Sequence, residues 1–278
     1  MATTWICVTC GVEYPRAAAA PPQCPICLDD RQYVGEHGQQ WTTHDQLRVS
    51  HRNEAGSEES GVWWIHTSPA FAIGQRAYLV QTGEGNLLWD CVTLIDQQTI
   101  EWVRQQGGIQ AIAVSHPHYY STMLEWSRAF DDCPIWIHQD DRQWVMRPGE
   151  AVRYWSGDTH SLFGDLTLVH CGGHFAGYQV LHWARGCSGK GVLFAGDQPQ
   201  VCMDRRWVTF MYSYPNWIPF DAATVTAITR SLDPWPFDRL YGAFGLHLLQ
   251  DAKGAIARSR ERYLAAIGTP APAGRASR

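Results

Sequence analysis

Ile112-Ala113-Val114-Ser115-His116-Pro117-His118-Tyr119-Tyr120-Ser121 decides the reading of this chain. Its first part, extended back through Ala111, is a short apolar run of the kind that forms a buried strand, and it leads directly into two imidazoles one residue apart. Three later segments repeat the plan. Leu166-Thr167-Leu168-Val169 precedes Gly173-His174, Val192-Leu193-Phe194-Ala195 precedes Gly196-Asp197, and Phe244-Gly245-Leu246 precedes His247. Neutral imidazoles and a carboxylate delivered to one edge of a sheet are the donors that a borderline-soft divalent cation takes. The pattern predicts a metal centre built from His116, His118, His174, Asp197 and His247. His66, His138, His160, His170 and His182 have no matching partners and are read as structural or surface histidines.

Working outward, residues 62–66 and 77–81 read as strands, and Gly83-Glu84-Gly85-Asn86 reads as a hairpin turn into Leu87-Leu88-Trp89-Asp90. Beyond this antiparallel start, helices and strands take turns. Helical spacing covers 97–106, 122–130, 221–231 with Asp221 as its cap, and 250–266, while 134–138 and 179–182 read as further strands. Mixed strands with flanking helices make a layered α/β domain over 62–267. The polar stretch 36–61, carrying Asn53, Gly56 and Ser57, reads as a connector. The Gly/Pro/Ala-rich tail 268–278 is expected to be disordered.

Nine cysteines divide into two groups. Cys7-Val8-Thr9-Cys10 and Cys24-Pro25-Ile26-Cys27 are two C-x-x-C knuckles, a pairing that closes a tetrahedral tetrathiolate site. In a reducing compartment such a set binds metal in preference to forming disulfides. Residues 1–35 are therefore a metal-stapled module, too small to hold a core without its ion. Cys91, Cys133, Cys171, Cys187 and Cys202 lie in apolar surroundings and read as small hydrophobes.

Composition excludes several classes. A net charge of −5 from 22 basic and 27 acidic residues, with no basic block, argues against a phosphate backbone as the partner. No window approaches the roughly 18 uninterrupted apolar residues of a membrane span, and Met1-Ala2-Thr3-Thr4-Trp5 lacks the pattern of a secretory signal, so the cytoplasm is the expected compartment. The expected partner is a small-molecule substrate. Trp63, Trp64, Phe71, Trp217 and Met211-Tyr212-Ser213-Tyr214 are candidate pocket walls for an apolar ligand. A homo-oligomer, with the N-terminal module against a neighbouring subunit, is an arrangement the sequence leaves open.

The run Leu88-Trp89-Asp90, His116-Pro117-His118, Gly173-His174, Gly196-Asp197 and His247 resembles the metallo-β-lactamase superfamily in order and approximate spacing over about residues 60–250. The resemblance implies a four-layer αββα sandwich with the active site along one sheet edge. It implies His116, His118 and His174 as ligands of a first metal, Asp197 as the carboxylate between two metals, and His247 as a ligand of the second. Asp90 would lie beneath the site and orient a ligand histidine. The family's loop reads His-x-His-x-Asp-His, whereas here Tyr120 and Ser121 stand at the last two positions. Two ligands of the second cation are missing, so one tightly bound active-site ion is expected. Zinc is the expected metal in both this centre and the N-terminal tetracysteine site, with iron as the alternative.

A cation held by three neutral imidazoles keeps its charge, lowers the pKa of bound water towards about 7 and polarises a carbonyl or phosphoryl oxygen. The expected activity is hydrolysis of a small-molecule ester, lactone, thioester or phosphodiester. In this reading Asp197 orients the water or accepts its proton, and Tyr120 or His247 serves the oxyanion or leaving group. The alternatives are an iron redox protein, because the N-terminal knuckles also resemble rubredoxin-like modules, and a non-catalytic metal-binding protein with a degraded second site.

Overall fold

The computed structural model describes residues 2–268, so the tail expected to be disordered lies outside the described residues apart from Gly268. Seven strands form one sheet in sequence order: Arg52–Glu59, Val62–Ser68, Arg76–Thr82, Gly85–Trp89, Ala111–Ala113, Ile135–His138 and Val152–Trp155. The first four pair antiparallel and the last three are added in parallel. A second sheet of six contains Thr159–Ser161, Leu166–His170, Gln179–Trp183, Val192–Phe194, Arg239–Tyr241 and His247–Leu248. Within it only Val192–Phe194 and Arg239–Tyr241 run parallel.

Strand alternation explains how the two sheets become four layers. Tyr78, Val80, Leu87, Trp89, Ala111 and Ala113 face the second sheet and meet Leu166, Leu168, Leu181, Val192 and Phe194 there. Their sequence neighbours Ala77, Leu79, Leu88 and Ile112 point the other way, into a core shared with helices Gln97–Gln105 and Met123–Ala129. Val169, Val180, Leu193 and Leu240 pack on helices Ala222–Leu232 and Ala252–Ala266. Strands buried on both faces read as continuous apolar runs, which is why the central ones were visible in the sequence. Asp96 and Asp221 cap their helices by accepting from the amides of Thr99 and Thr224 at 2.8 and 2.7 Å, each cap contributing about 1 kcal/mol. Among the described residues no helix is long and apolar enough to cross a membrane.

The stretch read as a connector is structured. Trp41–Thr42 pairs with Ile6–Cys7, extending the N-terminal module past residue 35, and His44–Ser50 is a helix. Arg52–Glu59 is the edge strand of the first sheet. Gly56, which suggests a loop, sits opposite Trp64 in register, and a Cβ there would lie 2.6 Å from the indole. The glycine makes room for a ring across the ladder. The module's own core is continuous with the main domain: Cys7, Val12, Tyr14 and Ile26 belong to the same cluster as Ile65, Leu79, Val92 and Tyr120.

Candidate metal centre

Three strand-end segments deliver the four ligands. Ala111–Ala113 runs into a single 3-10 turn, Pro117–Tyr119, which His116 precedes. Leu166–His170 is followed by Gly172 and Gly173 at φ 61° and 83°, and a Cβ on Gly173 would lie 2.7 Å from both Gln198 and Ile228. That tight left-handed step brings His174 inward. Gly196, just beyond Val192–Phe194, has no room for a side chain because a Cβ would lie 2.4 Å from Ser115 Oγ and 3.0 Å from His116 Nδ1.

These segments bring together His116, His118, His174 and Asp197, all buried. His116 Nε2 and His174 Nε2 each lie 3.3 Å from Asp197 Oδ2, His118 Nδ1 lies 3.8 Å from it, and His118 Nδ1 and His174 Nε2 are 3.3 Å apart. A tetrahedral ion with bonds of about 2.0–2.1 Å separates its donors by about 3.3 Å, so the arrangement fits such an ion. Burial pushes His116 down to about 3 and His118 to about 4, which keeps both imidazoles neutral and able to donate lone pairs. Burial pushes the Asp197 carboxyl up, but its contacts with His116, His118 and His174 outweigh it and hold it well below the usual carboxylate range.

Asp197 is gripped by three tyrosines. Tyr119 Oη donates to its Oδ1, Tyr178 Oη accepts from its amide at 2.6 Å, and Tyr214 Oη donates to its carbonyl at 2.8 Å. Burial holds all three phenols well above their ordinary range, so Tyr119 stays a neutral donor. Its proton engages Oδ1, so Oδ2 is the oxygen that faces the imidazoles. Asp90 acts one step further back than expected: it accepts the Ser115 amide at 2.7 Å, and Ser115 Oγ lies 2.9 Å from His116 Nδ1. Burial pushes the Asp90 carboxyl up to about 8.

Two expected participants are elsewhere. Tyr120 points away from the cluster, its buried hydroxyl without a partner among the described residues, and its neighbour Tyr119 takes the place beside Asp197. His247 Nε2 lies 3.1 Å from Glu58, at the edge strand, and the ring is outside the ligand group. Ser121 Oγ is engaged by Cys91 and Gln75. Among the expected aromatic walls, Tyr214 alone borders the cleft, while Trp217 is 82% exposed. His138, Asp140 and His170 also cluster, but the two rings are stacked face to face at 3.9 Å and 4°. In-plane lone pairs of parallel stacked rings do not converge on one ion.

In the N-terminal module Cys7 and Cys27 sulfurs lie 3.5 Å apart, and those of Cys10 and Cys24 3.7 Å apart. A tetrathiolate ion with bonds of about 2.3 Å puts its sulfurs about 3.8 Å apart, so this cluster also fits a tetrahedral metal. Tyr14 Oη and Gln39 Nε2 donate to Cys24 and Cys7 at 3.0 and 3.1 Å, as donors do around thiolates.

The histidine centre lies at the base of a cleft of about 470 Å³, bordered by His118, His174 and Asp197. Arg31, Gln32 and Tyr33 of the N-terminal module form one wall, facing Ile73, Tyr214 and Phe244. Nothing in the sequence pattern pointed to Arg31, Ser115 or Tyr178. Tyr119 was visible only as one of two adjacent tyrosines.

Two mixed sheets face to face between helices, with this His/Asp group at the strand ends of one edge, define the chain as a metallo-β-lactamase-fold protein with an N-terminal tetracysteine ribbon. The solved structure of VMB-1 superposes with a TM-score of 0.60 at 14% identity, covering 78% of this chain and 99% of that one. The metallo-β-lactamase FIM-1 from Pseudomonas aeruginosa, in its mono-zinc form, gives 0.54 at 16% identity over 76% and 95%. No protein-family model matches the chain. It belongs to the family of the uncharacterized protein YmaE of Bacillus subtilis (strain 168), with which it is 47% identical over 267 residues, 95% of this chain and 97% of that one.

Proposed function

We propose that the chain is a metal-dependent hydrolase of a small, uncharged acyl compound: an ester, lactone or thioester. The carrying observation is the convergence of His116 Nε2, His118 Nδ1 and His174 Nε2 on Asp197 Oδ2 at the base of an open cleft. A divalent cation such as zinc bound there supplies Lewis acidity and a water of lowered pKa. A single ion is favoured because Tyr119 holds Asp197 Oδ1 and because Tyr120, Ser121 and His247 turn elsewhere. The mono-zinc form of FIM-1 is a precedent for one zinc on this fold.

The chain's own groups then have separable tasks. Tyr119 leaves Asp197 only Oδ2 to turn towards the imidazoles. Gln32, Tyr33 and Gln200 offer hydrogen bonds along the cleft, and Ile73, Pro215 and Phe244 offer apolar surface for an acyl group. Arg31 is the one Lys or Arg among the described residues that border the cleft, and its guanidinium is closed by Asp29 at 2.5 and 2.8 Å. An anionic phosphodiester therefore has no free cationic side chain to meet there, which favours an uncharged substrate.

The test is turnover by zinc-loaded protein across a panel of esters, lactones, thioesters and phosphodiesters. Hydrolysis of an acyl compound that disappears in His116→Ala is expected. Turnover of phosphodiesters alone would contradict the substrate class, and a fully loaded protein inert to the whole panel would contradict the hydrolase reading.

A further inference from the structure

We propose that the tetracysteine ribbon tunes the histidine centre through Arg31, a positioning residue for His174, so that the two metal sites are energetically coupled. The link is short. Two residues after the last ribbon ligand, Cys27, Asp29 takes the Arg31 amide at 3.0 Å and grips its guanidinium at Nε and Nη2. The remaining nitrogen, Nη1, donates to the carbonyl oxygen of His174 at 3.0 Å. The guanidinium lies 3.8 Å from the centroid of Phe175, the next residue, and the side chain is only 13% exposed.

Beyond its ring's contacts with His118 and Asp197, His174 makes few hydrogen bonds of its own. It follows two glycines in the left-handed region, its Nδ1 has no partner, and Arg31 is the hydrogen-bond donor to its carbonyl among the described residues. A second tie reaches Asp197: Asn216 Nδ2 donates to the carbonyls of Asp30 and Gln32 at 2.8 Å each, joining the ribbon to the loop whose Tyr214 holds the Asp197 carbonyl. The ribbon segment after Cys27 thus touches the segment that carries His174 and, through Asn216, the loop that braces Asp197. The ion is the staple that fixes the Cys24–Cys27 turn from which Asp29 and Arg31 leave. Filling the ribbon therefore fixes Asp29 and Arg31, and with them the His174 backbone. Groups that orient metal ligands typically change affinity about 10–100-fold when removed. Coupling of this kind is reciprocal, so each site's occupancy strengthens the other by the same factor.

The experiment uses the full chain and Co²⁺, whose tetrathiolate and imidazole sites have distinct visible spectra, in competition with a chelator. Arg31→Met keeps the stem over Phe175 and removes the donors. Its histidine centre should bind Co²⁺ about tenfold or more weakly while the ribbon keeps its full equivalent, and Arg31→Lys should recover part of the loss. Emptying the ribbon by Cys24→Ser with Cys27→Ser should weaken the histidine centre by a similar factor, and Arg31→Met should then add nothing further. Affinity within twofold of the parent in Arg31→Met would overturn the proposal. So would additive losses in the combined variant. Should the ribbon-emptied chain fail to fold by circular dichroism, the Arg31→Met affinity alone decides. No substrate enters the measurement, so its outcome is independent of the hydrolase reading.

Discussion

The two metal-ligand clusters lie in one chain and differ in what surrounds them. The four cysteines are buried on every side, with Tyr14 and Gln39 directed at their sulfurs and a core continuous with the main sheet. The histidines and Asp197 are equally buried as residues, yet they border a cleft of about 470 Å³. A site closed on every side holds structure, whereas one opening on a cavity admits a ligand, which is the division the proposed hydrolase rests on. Donor type follows the same division: thiolates neutralise their ion, while neutral imidazoles leave it charged.

Removing one ligand from each side has the largest expected effect. His116→Ala should lower metal content from two ions per chain to one and abolish turnover while leaving the fold intact. Cys24→Ser should also lose one ion, but with a large fall in stability on thermal unfolding. If the two variants behave alike, the division fails.

Next in size is the anchoring of the ribbon. Glu13 is 3% exposed, accepts from Arg147, and lies 2.8 Å from His44 Nε2. Removing one partner of such a buried pair typically costs about 3–5 kcal/mol, so Glu13→Ala should lower the denaturant midpoint accordingly. Burial raises the Glu13 carboxyl, but the hydrogen bond from His44 and the charge of Arg147 outweigh it and hold it below its ordinary value of 4.5. A depressed folded value means that the unfolded state binds more protons in this window. The stability from Glu13 is therefore fully present above about 4.5 and is lost as pH falls through the folded value. The parent should lose stability in that range more steeply than Glu13→Ala.

Smaller still is Tyr119→Phe, which frees Asp197 Oδ1 without disturbing the surrounding apolar packing. Histidine-centre affinity should fall about 10–100-fold, measurable by chelator competition, with the ribbon unaffected. At the bottom of the scale, His247→Gln should leave metal content and affinity unchanged, because the ring pairs with Glu58 away from the ligands. A lost ion in that variant would restore the second-site role that the sequence suggested.

What the sequence made legible follows from locality. Strands buried on both faces, such as Arg76–Thr82 and Ala111–Ala113, carry apolar runs that identify them alone. Arg52–Glu59 does not, because its identity depends on pairing with Val62–Ser68 across the ladder, where Gly56 accommodates Trp64. The three histidines and Asp197 were legible because each follows a readable strand. Which of Tyr119 and Tyr120 faces the site depends on a single 3-10 turn, whose side-chain directions no local pattern encodes. Arg31 was beyond reach: it meets His174 across 143 positions through tertiary packing alone.

The most direct test is anomalous diffraction at the zinc edge from crystals of the zinc-loaded chain. One ion is expected among Cys7, Cys10, Cys24 and Cys27 and one among His116, His118, His174 and Asp197, with no density beside Tyr120 or Ser121. A pair of ions at the histidine centre, or rings turned apart with no ion between them, would contradict that expectation.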